Sequence, residues 1–208
     1  MKLLAALIDP FEGSKLKLPT SFTKLDYKKI ASLEITQLGA KVLEQFFKDS
    51  PFEKSLSNHV EHSFKYPPKI QRLCNYSHSQ NQLHLLELFY GPSRAFKDYG
   101  ARFLASCLSQ HTLENNLANY SILAATSGDT GSAVTLAAND FENLRSIILY
   151  PEKRITKYQE LQILSGSNSA LNFCVKGDFD NCQTIAKEIL SDKDFIAEHR
   201  ITSANSIN

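Results

Sequence analysis

Lys97 stands in the stretch GPSRAFKDYGARFLASC (91–107), between an apolar run and a helical repeat, and that address is the first sign of chemistry. Gly91 and Pro92 interrupt regular structure, while Ala101, Leu104, Ala105 and Leu108 recur at helical spacing. Lys97 and Asp98 therefore fall at or near a first helical turn. Helix starts favour anions through their free N–H groups and the positive end of the dipole. An ammonium gains little there, and a lysine that sheds its charge is the kind that attacks a carbonyl carbon and forms a Schiff base. Position alone leaves a second reading open, a solvated charge in a turn.

A second stretch, YSILAATSGDTGSAVTLAAND (120–140), has the pattern of strand, glycine loop and helix start. SILAA suits a buried parallel strand, and 126–131 forms a polar loop ahead of the helix. Backbone N–H groups at such a junction make an anion cradle, to which Thr126, Ser127 and Thr130 add hydroxyls. Many Gly/Ser/Thr turns do no more than join a strand to a helix, so this pattern alone is a weak signal.

Together the two stretches resemble threonine synthase. GPSRAFKDYGARF is similar to that family's lysine motif, GPT-x-AFKD-x-GARF, and ATSGDTGSA is similar to its substrate loop. LYPEKRITKYQELQ, GDFDNCQ and the closing SANSIN follow in the family's order, so the resemblance runs through residues 83–208. It implies pyridoxal 5'-phosphate held as a Schiff base on Lys97, a lyase reaction in threonine biosynthesis, and O-phosphohomoserine as the small-molecule substrate. Lys97 would then be the catalytic base. Asp129 and Thr130 would lie at the cofactor, Thr126, Ser127 and Thr130 at the substrate carboxylate, and Asn205 and Ser206 at its phosphate. Asp129 stands where relatives with TSGNTG have asparagine. Ser93 for threonine, Arg94 at a usually uncharged position and Tyr99 for phenylalanine are smaller departures. Threonine synthases continue for about as long again, through a glycine-rich SGNFG loop that grips the cofactor phosphate. The resemblance therefore implies the N-terminal half of that fold, with a truncated, inactive remnant that binds phosphate ligands or a partner as one alternative and an ammonia-lyase-type relative as another.

The elements that must position these residues alternate from Asn81 onward. LHLLELF, the Lys97 helix, SILAA, the Gly131 helix, SIILY, a helix over 156–164, LNFCV and a helix over 179–190 predict an α/β fold, a parallel sheet flanked by helices. Such sheets bind ligands beyond the carboxyl ends of their strands. Residues 81–208 are thus expected to form an incomplete α/β pyridoxal-phosphate-enzyme domain. Residues 1–80 read as a small, mainly helical N-terminal region: apolar positions from Ile30 to Phe47 mark one amphipathic helix or two, with Gly39 as an interruption, and another helix is expected from Pro51 to Phe64. His59 and His62, three apart, read as surface histidines, and no metal site is expected.

At 208 residues with 42% hydrophobic content, the chain is long enough for a core, and 23 Lys+Arg against 22 Asp+Glu gives no nucleic-acid surface. The N-terminal MKLLAALIDP has its apolar run cut by Asp9 and Pro10, so it is read as mature protein, and no apolar stretch reaches the roughly 18 residues that span a bilayer. Cys74, Cys107, Cys174 and Cys182 lack metal-site spacing and read as free thiols in a reducing, cytoplasmic setting.

Overall fold

Four parallel strands, in the order β5-β4-β3-β6, carry the molecule. They are β3 (Tyr120–Ala125), β4 (Leu144–Pro151), β5 (Leu171–Val175) and β6 (Ile201–Ser203). The computed structural model describes residues 24–73, 82–166 and 170–204. Because side chains alternate across a strand, β3 sends Ile122 and Ala124 to one face of the sheet and Leu123 to the other. The first face packs against α4 (Lys97–Glu114), α5 (Asp129–Ala138) and α6 (Lys157–Leu164), through Ala105, Leu108, Val134, Ala137 and Ile163. The second face packs against α7 (Phe179–Ser191) through Cys182, Ala186 and Leu190, and α8 (Lys193–His199) leads into β6. Both faces are covered, which is why β3 and the SIILY part of β4 read as near-continuous apolar runs. From β3 the chain moves outward to β4 and β5, then returns to lay β6 on the other side of β3. The reversal of direction lies between β3 and β6, and open α/β sheets bind ligands in the crevice at such a point.

LHLLELF departs from the expected arrangement. Only His84–Glu87 is strand (β2), and it pairs antiparallel with β1 (Lys69–Arg72) in a separate two-stranded sheet. Its apolar residues face outward: Leu85 and Leu86 are about half exposed, as are Leu83 and Phe89 beside them. A short apolar run does not say which sheet it joins. α8 and β6 were also beyond reach of pattern reading, since β6 is three residues long.

The N-terminal helices are α1 (Tyr27–Ile30), α2 (Ile35–Phe47) and α3 (Leu56–Ser63). Gly39 lies inside α2 rather than breaking it. A Cβ there would stand 3.0 Å from Val60 Cγ1, so the glycine lets α2 and α3 approach closely. Phe47, Phe52, Leu56 and Val60 from this region bury themselves against Cys107 of α4. Burial pushes the Cys107 thiol up to about 12, which makes it a packing group rather than a nucleophile. Cys174 and Cys182 are free as well, and Cys74 lies outside the described residues.

His59 is an interior group, contrary to the surface reading, and His62 is half-buried. His59 is buried, with Nδ1 2.7 Å from Ser106 Oγ and Nε2 3.1 Å from Ser55 Oγ. His62 Nε2 lies 3.3 Å from Asp140 Oδ2, and the same carboxylate oxygen takes a 2.6 Å ion pair from Arg102, which is buried. Arg102 also donates through Nε to the His62 carbonyl at 3.2 Å, fastening α3 to α4. Burial pulls both imidazoles below 6.5; Arg102 and Lys65 add to this at His62, and Asp140 opposes it. At His59, Gln110 and Glu114 oppose the effect of burial, and His62 adds to it. Between the lowered values and 6.5 the unfolded chain binds more protons than the folded one, so this contribution to stability is present above about pH 6.5 and is lost as pH falls. The thermal midpoint is therefore expected to drop between pH 7 and pH 5, with a shallower drop in His59→Asn; equal slopes in thermal melts would contradict this.

No group of three or more His, Cys, Asp or Glu among the described residues is placed to hold a metal, and no described helix is long and apolar enough to cross a membrane.

Candidate active site

Thr126 leaves the carboxyl end of β3 and organises the loop that follows it. Its Oγ1 accepts from Gly128 N and from Gly131 N, both at 2.9 Å, and the residue is 2% exposed. Gly128 adopts φ +132°, a conformation that favours glycine, and a Cβ there would fall inside the Gln159 carboxamide. At Gly131 a Cβ would come within 2.6 Å of Thr126 Cγ2 and 2.8 Å of Ile148 Cγ2, so the first turn of α5 lies tight on the sheet. Two of the N–H donors expected of the cradle are thus spent inside the loop. Those of Ser127, Asp129 and Thr130 have no acceptor among the described residues. Ser127 and Asp129 are exposed and Thr130 is half-buried, so the remaining donors open outward from the head of a ten-residue helix.

Asp129 Oδ1 accepts from Gln159 Nε2 at 2.7 Å. Gln159 belongs to a capping box at the start of α6: its Oε1 accepts from Thr156 N and Thr156 Oγ1, both at 2.9 Å, and its N–H donates to Thr156 Oγ1. With Oε1 taken by donors, Nε2 is left for the Asp129 carboxylate.

Lys97 is the first residue of α4. It is half-buried, and Nζ sits 4.7 Å from the centre of the Phe96 ring. The turn in front of it wraps the Asp98 carboxylate. Ser93 N donates to Asp98 Oδ2 at 3.0 Å, and a Cβ on Gly91 would fall inside that carboxylate. Asp98 is buried, which raises its pKa, while hydrogen bonds from Ser93 and the Arg102 charge act against the rise. Gln162, one turn along α6 from Gln159, donates to Ser93 O at 3.0 Å. Lys97 and the 126–131 loop are thus joined through α6. Asn205 and Ser206 lie outside the described residues. Lys153 is well exposed, 3.8 Å from Glu152.

Sequence reasoning passed over Asp98, Gln159 and Gln162. The signal for the glutamines was available: Thr156 with Gln159 is a capping-box pair, and Gln159 with Gln162 has the i, i+3 spacing of one helix face.

Residues 67–207 match the family model described as Pyridoxal-phosphate dependent enzyme. The chain belongs to that family. Its fold is the one expected of a family member, α/β with a parallel sheet flanked by helices. Within the family it is similar to the threonine synthase of Buchnera aphidicola subsp. Acyrthosiphon pisum, 36% identical over 195 residues, which is 93% of this chain and 43% of that protein. Among solved structures it is similar to threonine synthase from Escherichia coli, with a TM-score of 0.78 at 32% identity over 92% of this chain and 43% of that one. A pyridoxal-phosphate-bound threonine synthase from Brucella melitensis also gives 0.78, at 25% identity, covering 100% of this chain and 44% of that one. The chain thus spans less than half the length of these threonine synthases. Pyridoxal 5'-phosphate is the cofactor of the family.

Proposed function

We propose that this chain carries the catalytic-lysine half of a threonine synthase, which converts O-phospho-L-homoserine and water to L-threonine and phosphate in the cytoplasm. The observation that carries this reading is the pairing of three N–H groups at the head of α5, without an acceptor among the described residues, with a half-buried lysine at the head of α4, both tied to α6. The residues fit the family's cofactor. An aldehyde needs an amine to bond to, and its anionic substituents need donors, and Lys97 and the cradle are groups of those kinds. When bound, the cofactor supplies an electron sink for charge that builds on the substrate carbons.

Lys97 Nζ would hold the cofactor and, as a free amine, would take the proton from the substrate α-carbon. The N–H groups of Ser127, Asp129 and Thr130, with the Ser127 and Thr130 hydroxyls, hold the substrate carboxylate. Thr126 shapes this cradle through the bonds to Gly128 and Gly131, and its remaining O–H hydrogen is available to the ligand. Asp129, fixed by Gln159, would be a cofactor-binding group, and Thr130 would serve both ligands. Asn205 and Ser206 bind the substrate phosphate.

A second reading, a module completed by another polypeptide, is favoured by the outward apolar residues of β2, β5 and α6, such as Leu86, Phe173 and Leu161. Incubating the purified chain and pyridoxal phosphate with O-phosphohomoserine separates the two. Equimolar threonine and phosphate support the enzyme acting alone, and no turnover supports the module. Ammonia released from serine or threonine instead would overturn the substrate assignment in favour of an ammonia-lyase-type activity.

A further inference from the structure

α6 is built inside out. Of its eight residues, KYQELQIL, only Ile163 is fully buried, while Tyr158, Leu161 and Leu164 are 57%, 55% and 50% exposed. Gln159 and Gln162 occupy the half-buried inner face in their place. A helix docked for stability alone turns its apolar stripe inward, so two inward carboxamides need another account. Each reaches a different loop. Gln159 Nε2 donates to Asp129 Oδ1 at 2.7 Å, and Ser132 Oγ lies 3.5 Å from the Gln159 carbonyl. Gln162 Nε2 donates to Ser93 O at 3.0 Å and lies 3.5 Å from Pro92 O. Ser93 in turn donates its N–H to Asp98, the residue after Lys97.

We propose that Gln159 and Gln162 are positioning residues, a two-point clamp that makes α6 the spacer between the Lys97 turn and the 126–131 loop. This rests on the reading above only in taking those two segments as the site. The clamp keeps the amine and the cradle in register, and loosening either point loosens both segments.

Amide hydrogen exchange on the full ligand-free chain tests this. The hydrogen-bonded amides include Ser93, Arg94, Ala95 and Asp98 in one segment, and Thr126, Gly128 and Gly131 in the other. Gln162→Leu is expected to speed exchange about five- to tenfold in both 91–98 and 126–131, the effect of losing one or two hydrogen bonds, and Gln159→Leu, which also gives up the two bonds from Thr156, to speed both at least as much. Gln159→Glu sets two carboxylates together and speeds both segments, and adding Asp129→Asn, whose amide can donate to the carboxylate introduced on α6, restores protection. Acceleration confined to each variant's own loop, or a Gln159→Glu defect that Asp129→Asn does not repair, overturns the clamp. The repair also separates the clamp from general loss of folding. Coupled exchange in a chain whose Lys97 never bonds the cofactor leaves the clamp standing and removes the functional reading. Uncoupled exchange in a chain whose Lys97 does bond it has the opposite meaning.

Discussion

Lys97→Ala and Lys97→Arg are both expected to fold, and both to lose the proposed bond to pyridoxal phosphate together with any threonine formation. Losing a positioned base alone costs about 10²- to 10⁴-fold in rate, and losing the group that anchors the cofactor adds to that. The arginine variant separates charge from chemistry, since it keeps a cation at the head of α4 but has no amine able to release its proton and attack an aldehyde. Folding is spared because Nζ, among the described residues, rests on the face of Phe96, an interaction of about 0.5–1 kcal/mol at an exposed site. Turnover assays and thermal melts on the same preparations check this. Activity retained in Lys97→Arg would remove Lys97 from the mechanism, and a collapse of the melt would give it a structural part instead.

Thr126→Val has the largest expected effect on stability. The substitution keeps the side chain's shape and removes one oxygen, and that oxygen is the acceptor for two backbone N–H groups in a loop closed from solvent. Each buried donor left unpaired costs about 1–3 kcal/mol, so the variant should lose about 2–6 kcal/mol, a large part of the 5–15 kcal/mol typical of a folded domain. In a chain of this size that lowers the thermal midpoint by about 4 to 24 °C. Thr126→Ser keeps the acceptor and gives up only the methyl that packs on Gly131, so it should fall near the parent. Equal loss in serine and valine variants would mean that packing of the methyl, rather than the two hydrogen bonds, holds the loop.

The sequence made the helix starting at Lys97 legible because Gly91 and Pro92 mark its entry and alanine and leucine repeat along it. The strand–loop–helix at 120–140 was legible because an apolar run, a glycine loop and a helical repeat follow one another without ambiguity. The partner of LHLLELF was not, because strand pairing is decided by contacts distant in sequence, and its pattern suits an antiparallel hairpin as well as a parallel sheet. Burial of His59 was hidden for a similar reason: its hydrogen-bond partner Ser106 comes from a helix 47 residues away. The division of labour inside the loop was hidden too. Thr126 reads in the sequence as a hydroxyl beside the ligand, and no pattern shows that its oxygen also braces the loop from within by accepting from Gly128 N and Gly131 N.

The central claim is that the Lys97 nitrogen bonds an aldehyde, and mass mapping measures it directly. The full chain is equilibrated with pyridoxal phosphate, reduced with borohydride and digested, and the modified peptide is sequenced. The account predicts that the added mass falls chiefly on Lys97, in the peptide carrying AFKDYGAR, and that an excess of O-phosphohomoserine added before reduction diminishes it. Label spread over exposed lysines such as Lys153, with Lys97 unmodified, would contradict the account.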